Sequence, residues 1–398
     1  MKNKTIFRLA GLTVTLSLIS AAFCVLLARA ESQTYGWIIL GLTSGPEDVK
    51  ASLFIDSDDK LYVSYREHTS ISGDLKYLYN IFITDTEATY TVDTVDLNCG
   101  SFSSLIIDSN GNPHISYTVS DFSAIKYAKK IEGNWAIETV DTGWFRLPVP
   151  LALDSENNLH ISYVTQETSL YVVKYAKKTG DTWNIETVGE PVDAMRPGLS
   201  IALDSDNMPH IAFGDADPDS AWYATKVGNE WVIEKIGGID PSLALDSDDN
   251  PHISYYAMDG GNPVVRYSRK IAGGWVNETI DSSTWNLRSS SLALDTSENP
   301  NISYSNGTHL RYAAKIGENW TIHTVDSMGG DFTCLKLDSN NYAHILYYGH
   351  IAFTAYLKYA VIPEFPSFLV LSLSVITVSL VTVLYRIRHT SSPRLQQK

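Results

Sequence analysis

Apolar and polar residues alternate along most of this chain in short runs. Leu151-Ala152-Leu153-Asp154-Ser155, His160-Ile161-Ser162-Tyr163-Val164, Val173-Lys174-Tyr175-Ala176-Lys177-Lys178 and Trp183-Asn184-Ile185-Glu186-Thr187-Val188 are four such runs in succession. Each is rich in β-branched and aromatic residues and keeps a period of two, the pattern of a strand with inequivalent faces. Asn, Gly, Pro and Asp punctuate the joins, as turns require. The pattern predicts four short strands per unit.

The unit repeats. Leu153-Asp154-Ser155 recurs as Ile55-Asp56-Ser57, Ile107-Asp108-Ser109, Leu203-Asp204-Ser205, Leu245-Asp246-Ser247, Leu294-Asp295-Thr296 and Leu337-Asp338-Ser339, spaced 52, 46, 50, 42, 49 and 43 residues apart. Six residues after the Asp stand His114, His160, His210, His252 and His344, with Tyr62 and Asn301 as exceptions. An aromatic follows nine residues after each Asp, from Tyr65 to Tyr347. Then come basic-Tyr pairs such as Lys126-Tyr127 and Lys174-Tyr175, and a fourth segment opened by Trp135, Trp183, Trp231, Trp275 or Trp320. Four strands in a period of about 40–50 residues is the signature of a propeller blade. A row of β-sandwich modules needs about 100 residues per module, so the period is too short for that rival. The expected fold is all-β: a seven-bladed β-propeller of four-stranded blades over residues 31–361.

Closure supports the count. The seventh unit ends at Lys358-Tyr359-Ala360 without a Trp segment, yet Trp37 lies 19 residues before Asp56, as Trp135 lies 19 before Asp154. The N-terminal strand should therefore complete the last blade and remove two exposed sheet edges.

Asp154, His160 and Ser162 look like a nucleophile triad, but the trio recurs as Asp108, His114, Ser116 and as Asp246, His252, Ser254. A triad needs one exposed constellation with an oxyanion site; a set repeated around a ring fits packing better. Asp108, Asp154, Asp204, Asp246 and Asp338 with His114, His160, His210, His252 and His344 are read as a structural repeat, the buried His bonded to Asp, Ser and Trp. This resembles the Asp-His-Ser/Thr-Trp set of WD-repeat propellers, although the Gly-His and Trp-Asp dipeptides of that family are missing here. The Asp-rich turns, as in Asp246-Ser247-Asp248-Asp249-Asn250, hint at calcium loops but lack the sixth-place Gly and distal Glu. Hairpin-turn chemistry explains them as well. Calcium stays open, and no other cofactor or metal is expected.

The ends differ from the body. Residues 1–30 carry Lys2, Lys4 and Arg8, an apolar run from Leu9 to Leu27, and Ala28-Arg29-Ala30. They read as a cleaved signal peptide, with an uncleaved anchor as the alternative. Residues 368–385 are apolar, uncharged and long enough to cross a bilayer; Arg386, Arg388 and Arg394 follow. The positive-inside rule makes 386–398 a cytoplasmic basic tail and leaves the propeller on the extracellular side of a cell membrane. Ile362-Pro363-Glu364-Phe365-Pro366-Ser367 before that helix resembles the C-terminal sorting segment of archaeal surface proteins with a Pro-Glu-Phe signature. That resemblance implies that residues 362–367 are a linker and sorting motif and that a membrane transpeptidase processes the segment.

Between these ends, residues 31–362 hold 22 basic against 44 acidic residues. Such a body lacks the basic footprint of a nucleic-acid binder. Of three cysteines, Cys24 lies in the leader. Cys99 and Cys334 fall in the second and seventh repeats, which are not neighbours in a seven-fold ring and so are poorly placed for a bridge.

Function in a rigid repeat fold usually sits on its variable loops. The connections between blades, and those between second and third strands, share one face and vary most. Trp144, Arg146, Arg196, Trp285 and Arg288 lie in them. Arg with Trp can clamp a carboxylate or stack on a sugar; scattered surface residues are the other reading. Asn306-Gly307-Thr308 is the best-placed N-glycosylation acceptor. The expectation is a surface-displayed, non-enzymatic binding propeller for a glycan or a surface protein, with a glycan-active hydrolase or lyase and a structural envelope component as alternatives.

Overall fold

The computed structural model describes residues 37–42, 51–68, 73–84, 86–145, 148–192, 195–215, 220–282, 289–351 and 354–362. The expected leader, sorting motif, membrane helix and basic tail lie outside the described residues, apart from Ile362. Among the described residues no helix is long and apolar enough to cross a membrane.

Trp37–Val361 form one compact unit. Its strands make seven four-stranded antiparallel sheets. Blade 3 shows the common plan: Leu151–Leu153, Leu159–Glu167, Leu170–Thr179 and Thr182–Val192 pair in chain order. The seven first strands all border a central channel of about 220 Å³, so the first strand is innermost and the fourth outermost. Blade 7 is built from both ends of the unit. Gly329–Leu337, Ala343–Ile351 and Thr354–Val361 are capped by Ile38–Gly41, with Leu40 opposite Tyr359. The expected closure is thus present.

The apolar faces meet between consecutive blades. Leu75 and Tyr77 of blade 1 pack with Leu105, Ile115 and Tyr117 of blade 2; Val173 and Tyr175 of blade 3 pack with Ile211 and Phe213 of blade 4. A propeller sheet therefore buries both faces, and its alternation separates two neighbouring blades rather than core from water. Cys99 and Cys334 are free thiols.

Polar bonds stitch the innermost strands together. Ser52, Ser104, Ser200, Ser242 and Ser291 each accept a hydrogen bond from a backbone N–H of the next blade's first strand. In blade 7 the equivalent residue is Cys334, whose thiol donates to the Leu53 carbonyl of blade 1 at 3.9 Å.

Candidate functional site

The repeated Asp organises every first turn. In blade 3, Asp154 Oδ1 accepts from the amides of Glu156 (3.0 Å) and Asn158 (2.7 Å). Asp56, Asp108, Asp204, Asp246, Asp295 and Asp338 do the same. The other carboxylate oxygen meets the histidine ring: Asp108–His114 at 3.1 Å, Asp154–His160 at 3.3 Å, Asp204–His210 at 3.3 Å, Asp246–His252 at 3.2 Å and Asp338–His344 at 3.2 Å. Blade 1 substitutes Tyr62, whose hydroxyl donates to Asp56 at 2.9 Å.

The second partner of the histidine corrects the expectation. Ser and Trp do not serve; the third-strand tyrosine of the same blade does. His114, His160, His210 and His252 bond through Nδ1 to Tyr127, Tyr175, Tyr223 and Tyr267, each at 2.6 Å, and His344 bonds to Tyr359. A carboxylate only accepts, so Nε2 carries the proton; Nδ1 then accepts from the tyrosine O–H. Neutral imidazole satisfies the whole set. Burial pushes the His114, His160, His210 and His252 pKa values down, against the opposing bond from Asp. It pushes the Tyr127 and Tyr175 hydroxyls well up. Burial alone would raise Asp108 and Asp154, but bonds from Asn112 and Asn158, the turn amides and the histidines outweigh it and bring both to about 2. His160 and Ser162 are 0% exposed, so no substrate reaches them. Two of the three serine hydroxyls bond to the next blade instead, Ser116 to the Val149 carbonyl and Ser254 to Ser290.

Trp has a different task. Trp135, Trp183, Trp231, Trp275 and Trp320 each stand edge-on to a tyrosine of the preceding blade, with centroids 5.3 to 5.9 Å apart. Trp37 meets Tyr312 in the same way at 5.4 Å, taking the repeat position in blade 7. Lysines run above these rings and pair with acids of the preceding blade: Lys130–Asp93, Lys178–Glu138, Lys226–Glu186, Lys270–Glu234 and Lys315–Glu278.

On the opposite face a second set crosses the interfaces. Tyr117, Tyr163, Tyr304 and Tyr347 donate to Asp96, Asp141, Asp281 and Asp326 of the preceding blades at 2.7 to 2.8 Å. Gly189 stands where Asp141 stands, and there the tyrosine is replaced by Phe213.

Of the loop residues expected to bind, only Trp144 is described at side-chain level. It is 43% exposed, beside the buried Phe145. Arg146, Trp285 and Arg288 lie outside the described residues; Arg196 falls in the strand Met195–Leu203, its side chain outside them too. Asn306 sits in the hairpin between Pro300–Ser305 and Leu310–Ile316, and its Oδ1 accepts from the Thr308 and His309 amides. Among the described residues no group of three or more His, Cys, Asp or Glu is placed to hold a metal ion. Sequence reasoning missed the tyrosine as histidine partner. The signal was the basic-Tyr pair, which keeps company with the histidine in blade after blade.

No protein-family model matches the sequence, and no curated protein is similar to it. Solved structures are similar in fold. One is a protein of unknown function from Dyadobacter fermentans, 8% identical over 83% of this chain and 98% of that one, with a TM-score of 0.50. A second is a polysaccharide lyase, 8% identical over 79% of this chain and 90% of that one, also at 0.50. At such identities the likeness is one of fold: the chain is a seven-bladed propeller of four-stranded blades.

Proposed function

We propose that this chain is a non-enzymatic binding propeller, displayed on the outside of a cell and held to the membrane by residues 368–385, which recognises an acidic glycan through its loop-rich face. One observation carries the reading: the two faces are built differently. The seven first turns share one backbone pattern and one carboxylate clamp, so that face is scaffold. The connections between blades range from two residues, Leu97–Asn98 between blades 1 and 2, to ten, residues 42–51 between blades 7 and 1. Variable loops over a rigid frame are where such folds place recognition. The catalytic-looking Asp, His and Ser are consumed in packing, which removes the clearest candidates for chemistry. Arg146, Arg196 and Arg288 supply cations for a carboxylate or sulfate within an acidic body. The same fold carries a polysaccharide lyase; that enzyme's activity is the rival outcome.

The test uses the full-length chain in a detergent without sugar headgroups, on an array of uronate- and sulfate-bearing glycans. A double Arg146→Ala, Arg196→Ala variant should lose at least about tenfold in affinity, as expected when charge-assisted bonds are removed. Unchanged affinity would sink the assignment of these residues. Release of new sugar ends from a bound glycan would replace the binder with an enzyme.

A further inference from the structure

A cavity of about 430 Å³ opens between blades 2 and 3 on the face of the uniform turns, away from the loops discussed above. Its walls are the third and fourth strands of blade 2, with His114 behind them, and two turns of blade 3. We propose that it is a binding site for a single uncharged pyranose unit; the choice of a sugar rests on the glycan reading above, the place does not.

The repeat shows why there is room here. The residue after each repeat Trp points away from the ring that its Trp packs against and toward the following blade. In blades 3 to 6 it is Asn184, Val232, Val276 and Thr321; in blade 2 it is Ala136, which lines the cavity. The neighbouring turn is also held lightly. At four other interfaces the turns exchange paired bonds, as when Asn207 accepts from the Ser155 amide and donates to the Ser155 hydroxyl. Between blades 2 and 3, Asn157 gives one bond, to Ser109 Oγ at 3.2 Å.

The lining chemistry selects the ligand. Lys129 and Lys178 face Glu138 and Asp181, so the formal charges cancel in an otherwise acidic body. A charged ligand would gain little from such a site, whereas vicinal hydroxyls can bridge an ammonium and a carboxylate at once. Ile131, 52% exposed and on the same face of its strand as Lys129, gives with Leu159 an apolar patch for the C–H face of a ring. Lys178 is held in place by its ion pair with Glu138 and by the Tyr127 ring, 5.5 Å below it. The volume lies within the range of about 300–1,000 Å³ usual for small-molecule sites.

The test is saturation-transfer NMR on the full-length chain in a sugar-free detergent, titrating glucose, galactose, mannose, fucose, N-acetylglucosamine and glucuronate. A saturable signal is expected from at least one neutral sugar and not from glucuronate. Ala136→Phe should abolish it with the thermal midpoint unchanged. Asp181→Asn, at an exposed turn, should weaken it about tenfold, which keeps the test decisive if the larger substitution disturbs folding. Binding that ignores both changes, or no saturable signal from any sugar, overturns the site. The Arg146→Ala, Arg196→Ala variant separates the two readings: it should leave this signal intact while removing array binding.

Discussion

At the scale of single residues, each blade's hydroxyls are matched to the next blade's. Ser64 bonds Ser103, Ser254 bonds Ser290 and Ser303 bonds Thr333, all buried pairs between neighbouring blades. Where the repeat gives Ala212 in blade 4, the facing position in blade 5 is Pro241. Ser162 breaks the rule: it is fully buried, its hydroxyl has no partner, and the facing position in blade 4 is Leu199. An unmade bond in a buried site costs the desolvation of the group and returns nothing. Ser162→Ala should therefore be neutral or stabilising, while Ser254→Ala, which orphans Ser290, should cost about 1 kcal/mol or more. Urea unfolding midpoints of the two variants measure the difference; equal losses would refute it. The sequence displays these serines at fixed spacing but not their pairing, because the partners sit one blade away.

At the scale of elements, the first turns do more than reverse the chain. The third residue after each repeat Asp has a positive φ, from Asp59 at 60° to Asn341 at 64°, with Gly111 at 80°. Its side chain bonds the Ser or Thr of the preceding blade's turn: Asp59 takes the Ser339 amide and hydroxyl, Asp249 those of Ser205, Glu298 the Ser247 amide and Asn341 the Thr296 amide. In the Asp-rich turns, Asp56, Asp59, Asp246 and Asp249 thus bond the protein's own amides and hydroxyls. Gly111 has no side chain, and the bond is missing between blades 1 and 2. A Cβ there would meet nothing within 4 Å, and Asn tolerates positive φ better than most residues. Gly111→Asn should raise stability by up to about 1 kcal/mol, read as a higher thermal midpoint; a lower one would show that Ser57 cannot be reached. The Asp-Ser-x-x-Asn pattern was legible as a turn, but its link to the next blade was not.

For the whole molecule, ring closure makes blades cooperate, and the buried histidines link that cooperation to pH. His114, His160, His210 and His252 have pKa values below 6.5 in the folded state because burial opposes their charging. The unfolded chain takes up protons near 6.5, so their contribution is complete above that pH and is lost as pH falls through the lower folded values. The depressed Asp108 and Asp154 add a second loss between about pH 4 and 2. Unfolding midpoints should fall from pH 7 to 5. A His114→Asn, His160→Asn variant should show a shallower fall, since Asn301 already fills this position in blade 6 and accepts the Tyr312 hydroxyl. An identical slope would place the pH dependence elsewhere.

The sequence alone determined the strand-rich class, the seven units and the closure by Trp37. Each of these follows from local alternation and from a period that copies itself along the chain, and Trp37 falls at the spacing the other units keep. Tertiary structure decided which polar atoms meet: tyrosine rather than tryptophan on the histidines, turn to turn between blades, and an opening where Ala136 leaves space. The histidine–tyrosine bonds join adjacent strands of one blade and the turn-to-turn bonds join residues about one repeat apart; linear spacing carries no information about which face of a strand turns toward which neighbour until the sheets are paired and the ring is closed.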